Sequence, residues 1–194
     1  SMDLLVSGGA LLLLAPALLL IAIAIKLDSP GPIFFRQRRH GYLNEEFWVW
    51  KFRSMRVEAQ DDNARVQVRA ADPRVTRVGR IIRSTSLDEL PQLVNVLRGE
   101  MSLVGPRPHA IGMLAEGRDA TSLVESYAHR HRIKPGLTGW AAVKGSRGPA
   151  DSAAAIRRRV ELDLEYIQNQ SFWFDVQIML RTIPCLLGDR RSLR

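Results

Sequence analysis

The chain has 194 residues, with 28 Lys and Arg against 20 Asp and Glu, a formal net charge of +8. That length suits one domain with a sizeable core, and the single cysteine, Cys185, excludes an internal disulfide. Four histidines without Cys/His spacing argue against a zinc site, while the excess of arginine points to an anionic partner: nucleic acid, anionic lipid or a phosphorylated substrate.

Ser1-Met2 reads as a leader added ahead of the native stretch and is set aside; a start further toward the N-terminus is compatible with it. Leu4 to Ile25 then runs without a charge. As one straight helix it would be about 33 Å long, enough for a bilayer core of about 30 Å. Pro16 falls near its middle, so two shapes are open: a slightly kinked spanning helix, or a sharply broken one that enters and leaves by the same face. The residues alone favour the span. Lys26, Arg36, Arg38 and Arg39 follow, which by the positive-inside bias puts the rest of the chain on the cytoplasmic side.

After the turn-rich Asp28–Pro32, Ile33–Gln37 and Glu46–Phe52 read as two short strands of a hairpin. Trp48, Trp50 and Phe52 share one face of the second; Phe47, Val49, Lys51 and Arg53 share the other. Lys51 and Arg53 could therefore reach one phosphate together, or form a solvated edge pair. Glu58 to Arg69 is expected to be a charged surface helix. Arg74, Arg77, Arg80 and Arg83 recur at steps of three, a basic stripe if helical, suited either to solvent or to phosphates and lipid headgroups.

The stripe leads into Ser86-Leu87-Asp88-Glu89-Leu90-Pro91-Gln92-Leu93. Leu90, Leu93, Val94 and Leu97 mark one buried helical face, stopped by Gly99. Pro91 fits only a first turn, which puts Asp88 and Glu89 at the helix start, where an ionised carboxylate can serve as nucleophile or metal ligand. Ser86-x-x-Glu89 also fits a capping box, a structural device. Further on, Arg107 stands between Pro106 and Pro108 in a rigid turn suited to holding a phosphate. Residues 110–130 look helical. Arg132–Trp140 is a basic loop that could hold a ring or pack, and Lys144–Pro149 is a second basic loop. Ser152–Asn169 reads as a helix whose apolar face includes Asp163, with Arg159 as its expected partner. Ser171–Leu187 reads as an amphipathic helix with aromatic residues at its start.

Taken together, Lys51-Phe52-Arg53-Ser54-Met55, Arg83 through Leu93, Val104-Gly105-Pro106-Arg107-Pro108, Lys134 through Trp140 and Glu161-Leu162-Asp163 resemble the monotopic phosphoglycosyl transferases, over nearly the whole chain. The resemblance implies an α+β, mostly helical membrane-surface domain. It has a small β-hairpin, a re-entrant N-terminal helix (residues 1–27, broken near Pro16) and a catalytic domain (28–194) ending in an amphipathic interfacial helix. It implies transfer of a sugar 1-phosphate, in this version of the motif a hexose, from a UDP-sugar to undecaprenyl phosphate, releasing UMP. The place is the cytoplasmic face of the bacterial inner membrane, in the first membrane step of exopolysaccharide, capsule or O-antigen assembly.

By the same resemblance Asp88 is the nucleophile and Glu89 holds Mg²⁺, with Arg83, Arg107, Lys51, Arg53 and Asp163 near bound phosphate or substrate. The family often has Ala-Gln-Val-Asn-Gly-Arg after the tryptophan; here Ala141-Ala142-Val143-Lys144-Gly145-Ser146 follows Trp140, and Arg147 is the residue that could compensate. Two other classes compete: a membrane-tethered nucleic-acid-binding module, favoured by charge but lacking a recognisable motif, and a catalytically inactive scaffold of the same fold.

Overall fold

A computed structural model describes residues 2–59 and 72–188. Its first element, α1, is one helix from Met2 to Asp28. Among the described residues it is the only helix long and apolar enough to cross a membrane. Pro16, where the sequence suggested a break, lies inside this helix. A proline removes one hydrogen bond and can bend a helix without ending it.

Both ends of α1 are fastened to the same body. At the N-terminal end the Asp3 carboxylate accepts hydrogen bonds from Ser102 Oγ (2.9 Å) and the Leu103 amide (3.2 Å). At the other end the Asp28 carboxylate accepts from the Val78 amide at 3.0 Å. Between them Ala10 and Leu11 pack on the central core, and Leu18, Ile21 and Ala22 on a second cluster. The opposite face leaves Leu12, Leu13, Leu19 and Leu20 exposed.

Strands β1 (Phe34–His40) and β2 (Glu46–Phe52) form the expected hairpin, antiparallel with Phe34 opposite Phe52 and His40 opposite Glu46. The first strand runs three residues past the predicted Gln37, so the turn is confined to Gly41–Glu45. Alternation works as the pattern requires: Val49 is buried, while Trp48 is half exposed on the outer face, where Arg36 lies over Trp48 and Trp50.

Arg53 is not on the surface. It is 1 % exposed, and its guanidinium donates to the carbonyl oxygens of Ile25, Ser29 and Pro30. It thus caps the C-terminal end of α1, where carbonyls lack helical partners. Of the predicted Glu58–Arg69 helix only Glu58 and Ala59 are described, in a 3₁₀ turn at Val57–Ala59; the rest of that prediction lies outside the described residues.

Helix α2 (Arg77–Ser84) is capped by Thr76, whose hydroxyl accepts from the Gly79 amide at 2.9 Å. The basic stripe is split. Arg74 precedes the helix and forks onto Asp72. Arg77 and Arg80 are exposed, and Arg83 is half buried. Helix α3 (Gln92–Leu97) starts only after Pro91, so Asp88 and Glu89 sit in a separate 3₁₀ turn before it. Its buried face also departs from the apolar pattern: Leu93 and Val96 are buried with Gln92 and Asn95, while Leu97 is exposed. Asn95 replaces missing strand partners for β2, accepting from the Trp50 amide and donating to the Trp48 carbonyl.

Next, β3 (Ser102–Val104) pairs in parallel with β6 (Gly136–Thr138). Between them, β4 (Leu114–Ala115) and β5 (Arg118–Asp119) form a small hairpin, and Glu125–Arg132 is a 3₁₀ helix. The α-helix expected over 110–130 is therefore absent. Gly112 and Gly117, at φ of 76° and 73°, turn the chain where a helix would need negative φ. Short α4 (Trp140–Val143), α5 (Ala153–Asn169) and α6 (Phe172–Gly188) complete the body. Trp140 packs edge-on against Phe174 in the core. Cys185 falls in α6, at a position whose side chain is outside those described.

Replacing Arg53 with Met should strand the carbonyls at the end of α1 and lower stability by about 2–4 kcal/mol. Denaturant unfolding in detergent, followed by circular dichroism, reads this; Arg53→Lys should recover only part, because one ammonium cannot span the set.

Candidate active site

Asp88 is brought inward by an uncommon backbone. Ser86 adopts left-handed angles (φ 57°, ψ 18°), and the 3₁₀ turn Leu87–Glu89 follows directly. The Ser86 hydroxyl caps no amide, so the capping box is not formed; it accepts instead from the Arg147 guanidinium. Asp88 ends 7 % exposed. Among the described residues no hydrogen-bond donor reaches its carboxylate.

Its neighbour is heavily bound. Glu89 Oε1 accepts from Lys51 Nζ at 2.8 Å, and Arg107 forks onto both oxygens, its Nη1 lying 2.9 Å from Oε2. Lys51 arrives from β2 and Arg107 from the Pro106–Pro108 turn. Arg83, at the end of α2, donates to Ser54 Oγ at 3.3 Å and contributes its charge to Asp88. The structure therefore gathers Lys51, Arg83, Asp88, Glu89, Arg107 and Arg147. It places Arg53 at the end of α1 and Asp163 behind the site.

The two carboxylates are driven apart. Burial pushes Glu89 up, but the Arg107 and Lys51 charges and their hydrogen bonds outweigh it and hold Glu89 well below its ordinary range. For Asp88, burial and the Glu89 charge prevail over Lys51, Arg83 and Arg107, and its pKa rises to about 6. Burial likewise lowers Lys51, against the pull of Glu89.

The turn that carries Arg107 is held from three sides. Gly105, Gly136 and Gly139 cross so closely that a Cβ on Gly136 would lie 2.1 Å from the Gly105 amide nitrogen, and one on Gly139 2.2 Å from the Gly105 carbonyl oxygen. Arg39 donates to the Pro108 carbonyl. Arg130 donates to the Arg107 carbonyl at 2.7 Å and to Asp163 Oδ2 at 2.6 Å. Both members of that ion pair are buried. The partner of Asp163 is thus Arg130, not the i−4 Arg159, which donates to Ser146 Oγ and the Gly148 carbonyl. Arg130 Nη1 also lies 2.8 Å from His109 Nδ1. Burial and then the surrounding arginine charges hold His109 well below its ordinary pKa, so it is neutral. A guanidinium only donates, so Nδ1 accepts and the proton sits on Nε2.

Sequence reasoning gave Arg39 and Arg130 no part in the site and read Ser86 only as a possible cap. Arg130 stands in His129-Arg130-His131-Arg132, a dense basic run that signalled charge but not burial. Ser86 carries no sequence signal for its left-handed backbone.

The sequence model of the bacterial sugar transferase family matches residues 1–189. The UDP-glucose:undecaprenyl-phosphate glucose-1-phosphate transferase of Escherichia coli (strain K12) is 50 % identical over 181 residues, covering 93 % of this chain and 38 % of that protein. The undecaprenyl-phosphate glucose phosphotransferase of Komagataeibacter xylinus is 54 % identical over 190 residues, 98 % of this chain and 36 % of its own. The exopolysaccharide production protein PSS of Rhizobium leguminosarum bv. phaseoli is 50 % identical over 181 residues, 93 % of this chain and 90 % of its own. The chain spans less than two fifths of the first two relatives.

A carboxyl whose folded pKa lies above its unfolded value of about 3.9 costs stability once ionised. The cost is absent below about pH 4, grows between there and about 6, and is full above. Asp88→Asn should therefore stabilise the metal-free protein by on the order of 2 kcal/mol at neutral pH and by nearly nothing at about pH 4. Unfolding curves across that range check it; a difference independent of pH would contradict the assignment.

Proposed function

The chain belongs to the bacterial sugar transferase family, and from that premise we propose that it carries the catalytic part of a phosphoglycosyl transferase. A UDP-sugar gives its sugar 1-phosphate to undecaprenyl phosphate, and UMP leaves. The observation that carries this reading is the division of labour between the paired carboxylates. Glu89 is tied by Arg107 and Lys51 and is strongly acidic, which makes it a poor nucleophile. Asp88, buried, without a hydrogen bond to its carboxylate and more basic, is the better one.

One Asp88 oxygen attacks the sugar-linked phosphorus of the UDP-sugar. A carboxylate–phosphorus bond forms, and the bridging P–O bond breaks with its electron pair going to UMP. An oxygen of the lipid phosphate then attacks the same phosphorus and expels the Asp88 carboxylate. Neither displacement needs a proton, so no general base is required. Lys51, Arg83 and Arg107 surround Asp88 with positive charge where the phosphates must lie. Asp163 acts from behind, through Arg130 and the Arg107 carbonyl.

Mg²⁺ is part of the proposal, with Glu89 as its protein ligand. Glu89 Oε1 takes two donors and Oε2 takes one, so Oε2 keeps an acceptor position. Magnesium is commonly held by one or two carboxylates plus substrate phosphates and water, which suits this donor set. When bound, it would offset the charge of the diphosphate and of the departing UMP.

The attachment of α1 supports the membrane seating. A helix whose first and last turns both bond to one body does not cross a bilayer with that body on one side. We therefore keep the monotopic arrangement, with α1 and the exposed edge of α6 facing lipid and the body at the cytoplasmic face. Glucose is the first sugar to test, because the Escherichia coli and Komagataeibacter relatives are named for it.

With UDP-glucose, undecaprenyl phosphate and Mg²⁺, the protein should release UMP. Asp88→Asn should lower the rate by at least about 10³-fold while keeping the wild-type circular dichroism spectrum. EDTA should abolish turnover and added Mg²⁺ restore it. Rapid-quench mass spectrometry should find a hexose phosphate on the Asp88 peptide; full activity in Asp88→Asn would refute the covalent route.

A further inference from the structure

Beside the carboxylate pair lies a cavity of about 250 Å³ that none of the steps above uses. Its apolar walls come from five separate stretches: Leu90 before α3, Leu103 in β3, Leu137 in β6, Val143 in α4, and Met179 and Ile183 in α6. Its hydroxyls are mostly engaged within the protein, Thr85 with the Ile81 and Ile82 carbonyls. Thr138 and Thr182 bond each other at 2.7 Å, Thr182 also donates to the Ile178 carbonyl at 2.8 Å, and Ser86 Oγ accepts from Arg147.

A nucleoside or a sugar lodged there would leave most of its own amides and hydroxyls without partners, and an unmade buried hydrogen bond is costly. A hydrocarbon needs none. The charged groups on the lining, Glu89, Arg107 and Arg147, all belong to the site end. The lining reaches the surface at Ile183, which is 53 % exposed. Ile183 shares α6 with the exposed Phe172, Trp173 and Leu180, so the cavity continues into an apolar surface.

We propose that this cavity receives the first isoprene units of the lipid acceptor. The acceptor's phosphate lies at the Arg107 and Arg147 end, and its tail leaves past Ile183 along α6. The charge complementarity is that of a phosphate on a hydrocarbon chain: cations beside the carboxylate pair, a largely apolar lining and an opening onto an apolar face. This inference rests on the phosphoglycosyl transferase reading and adds the place of one of its two substrates.

The test separates the half-reactions. Exchange of labelled UMP into UDP-glucose without lipid reports the first; transfer to undecaprenyl phosphate reports the second. Ala142 lines the cavity from α4 and is only half buried. Ala142→Phe should raise KM for the lipid by at least about ten-fold and move KM for UDP-glucose by less than about two-fold. Equal losses in both half-reactions would assign the cavity to the nucleotide sugar, and no change in either would put the lipid elsewhere; both overturn the proposal. Should Ala142→Phe fail to fold, the wild-type protein decides: a polyprenyl phosphate carrying a diazirine on its first isoprene unit should label peptides from α6 or from Leu137–Val143, and labelling confined to other peptides overturns it. Absence of UMP exchange in the wild-type protein would sink the phosphoglycosyl reading itself, and the labelling would still judge the cavity.

Discussion

One carboxylate, Glu89, ties three distant stretches of chain together. The fork of Arg107 and the ammonium of Lys51 both close on it, from a proline-bounded turn and from the inner face of a hairpin. Taking three charges largely out of water is expensive, and their mutual attraction offsets that only when the geometry is good. Here the geometry also has a consequence next door. Because Glu89 absorbs both cations by direct contact, Asp88 feels them only at longer range, and burial governs its protonation. Two adjacent residues of the same chemical type thereby acquire opposite characters, one fixed and acidic, the other basic and available.

Many of the arginines that make the chain basic do internal work. Arg53 closes the end of α1, Arg130 and Arg39 hold consecutive carbonyls of the turn that carries Arg107, and Arg159 holds the Gly148 carbonyl. A guanidinium suits this role because one rigid group can serve several acceptors at once. The charge excess that pointed to an anionic partner is therefore partly architecture. What faces the candidate site is a smaller set: Lys51, Arg83 and Arg107, whose charges act on a single pair of acids, and Arg147 on the neighbouring Ser86.

Local pattern carried the hairpin and the two long C-terminal helices, while the grouping of Asp88, Glu89, Arg83 and Arg107 came with the family resemblance. Alternation and turn chemistry act over a few residues, so a single chain displays them directly. The failures were of another kind. Lys51 and Arg53 share a strand face, yet the chain enters the body between them, and one meets Glu89 while the other meets the end of α1. Asp163 was matched to the cation one helical turn away, but its partner comes from a segment 33 residues distant. Asn95, outside the expected apolar face of Leu90, Leu93, Val94 and Leu97, is buried where a strand edge needed both a donor and an acceptor. In each case the deciding contact lies between elements far apart in sequence, and periodicity says nothing about those.

The attachment of α1 has a mechanical side. Asp3 is bonded to Ser102 and Leu103, and the same strand runs on through Gly105 into the turn that presents Arg107. The greasy helix and the guanidinium fork are consequently linked in series, with only a few stiff residues between them. Any force that lifts or tilts the first turn of α1 is borne by that strand before it can dissipate elsewhere, so the depth at which the helix rides and the aim of Arg107 are not independent variables.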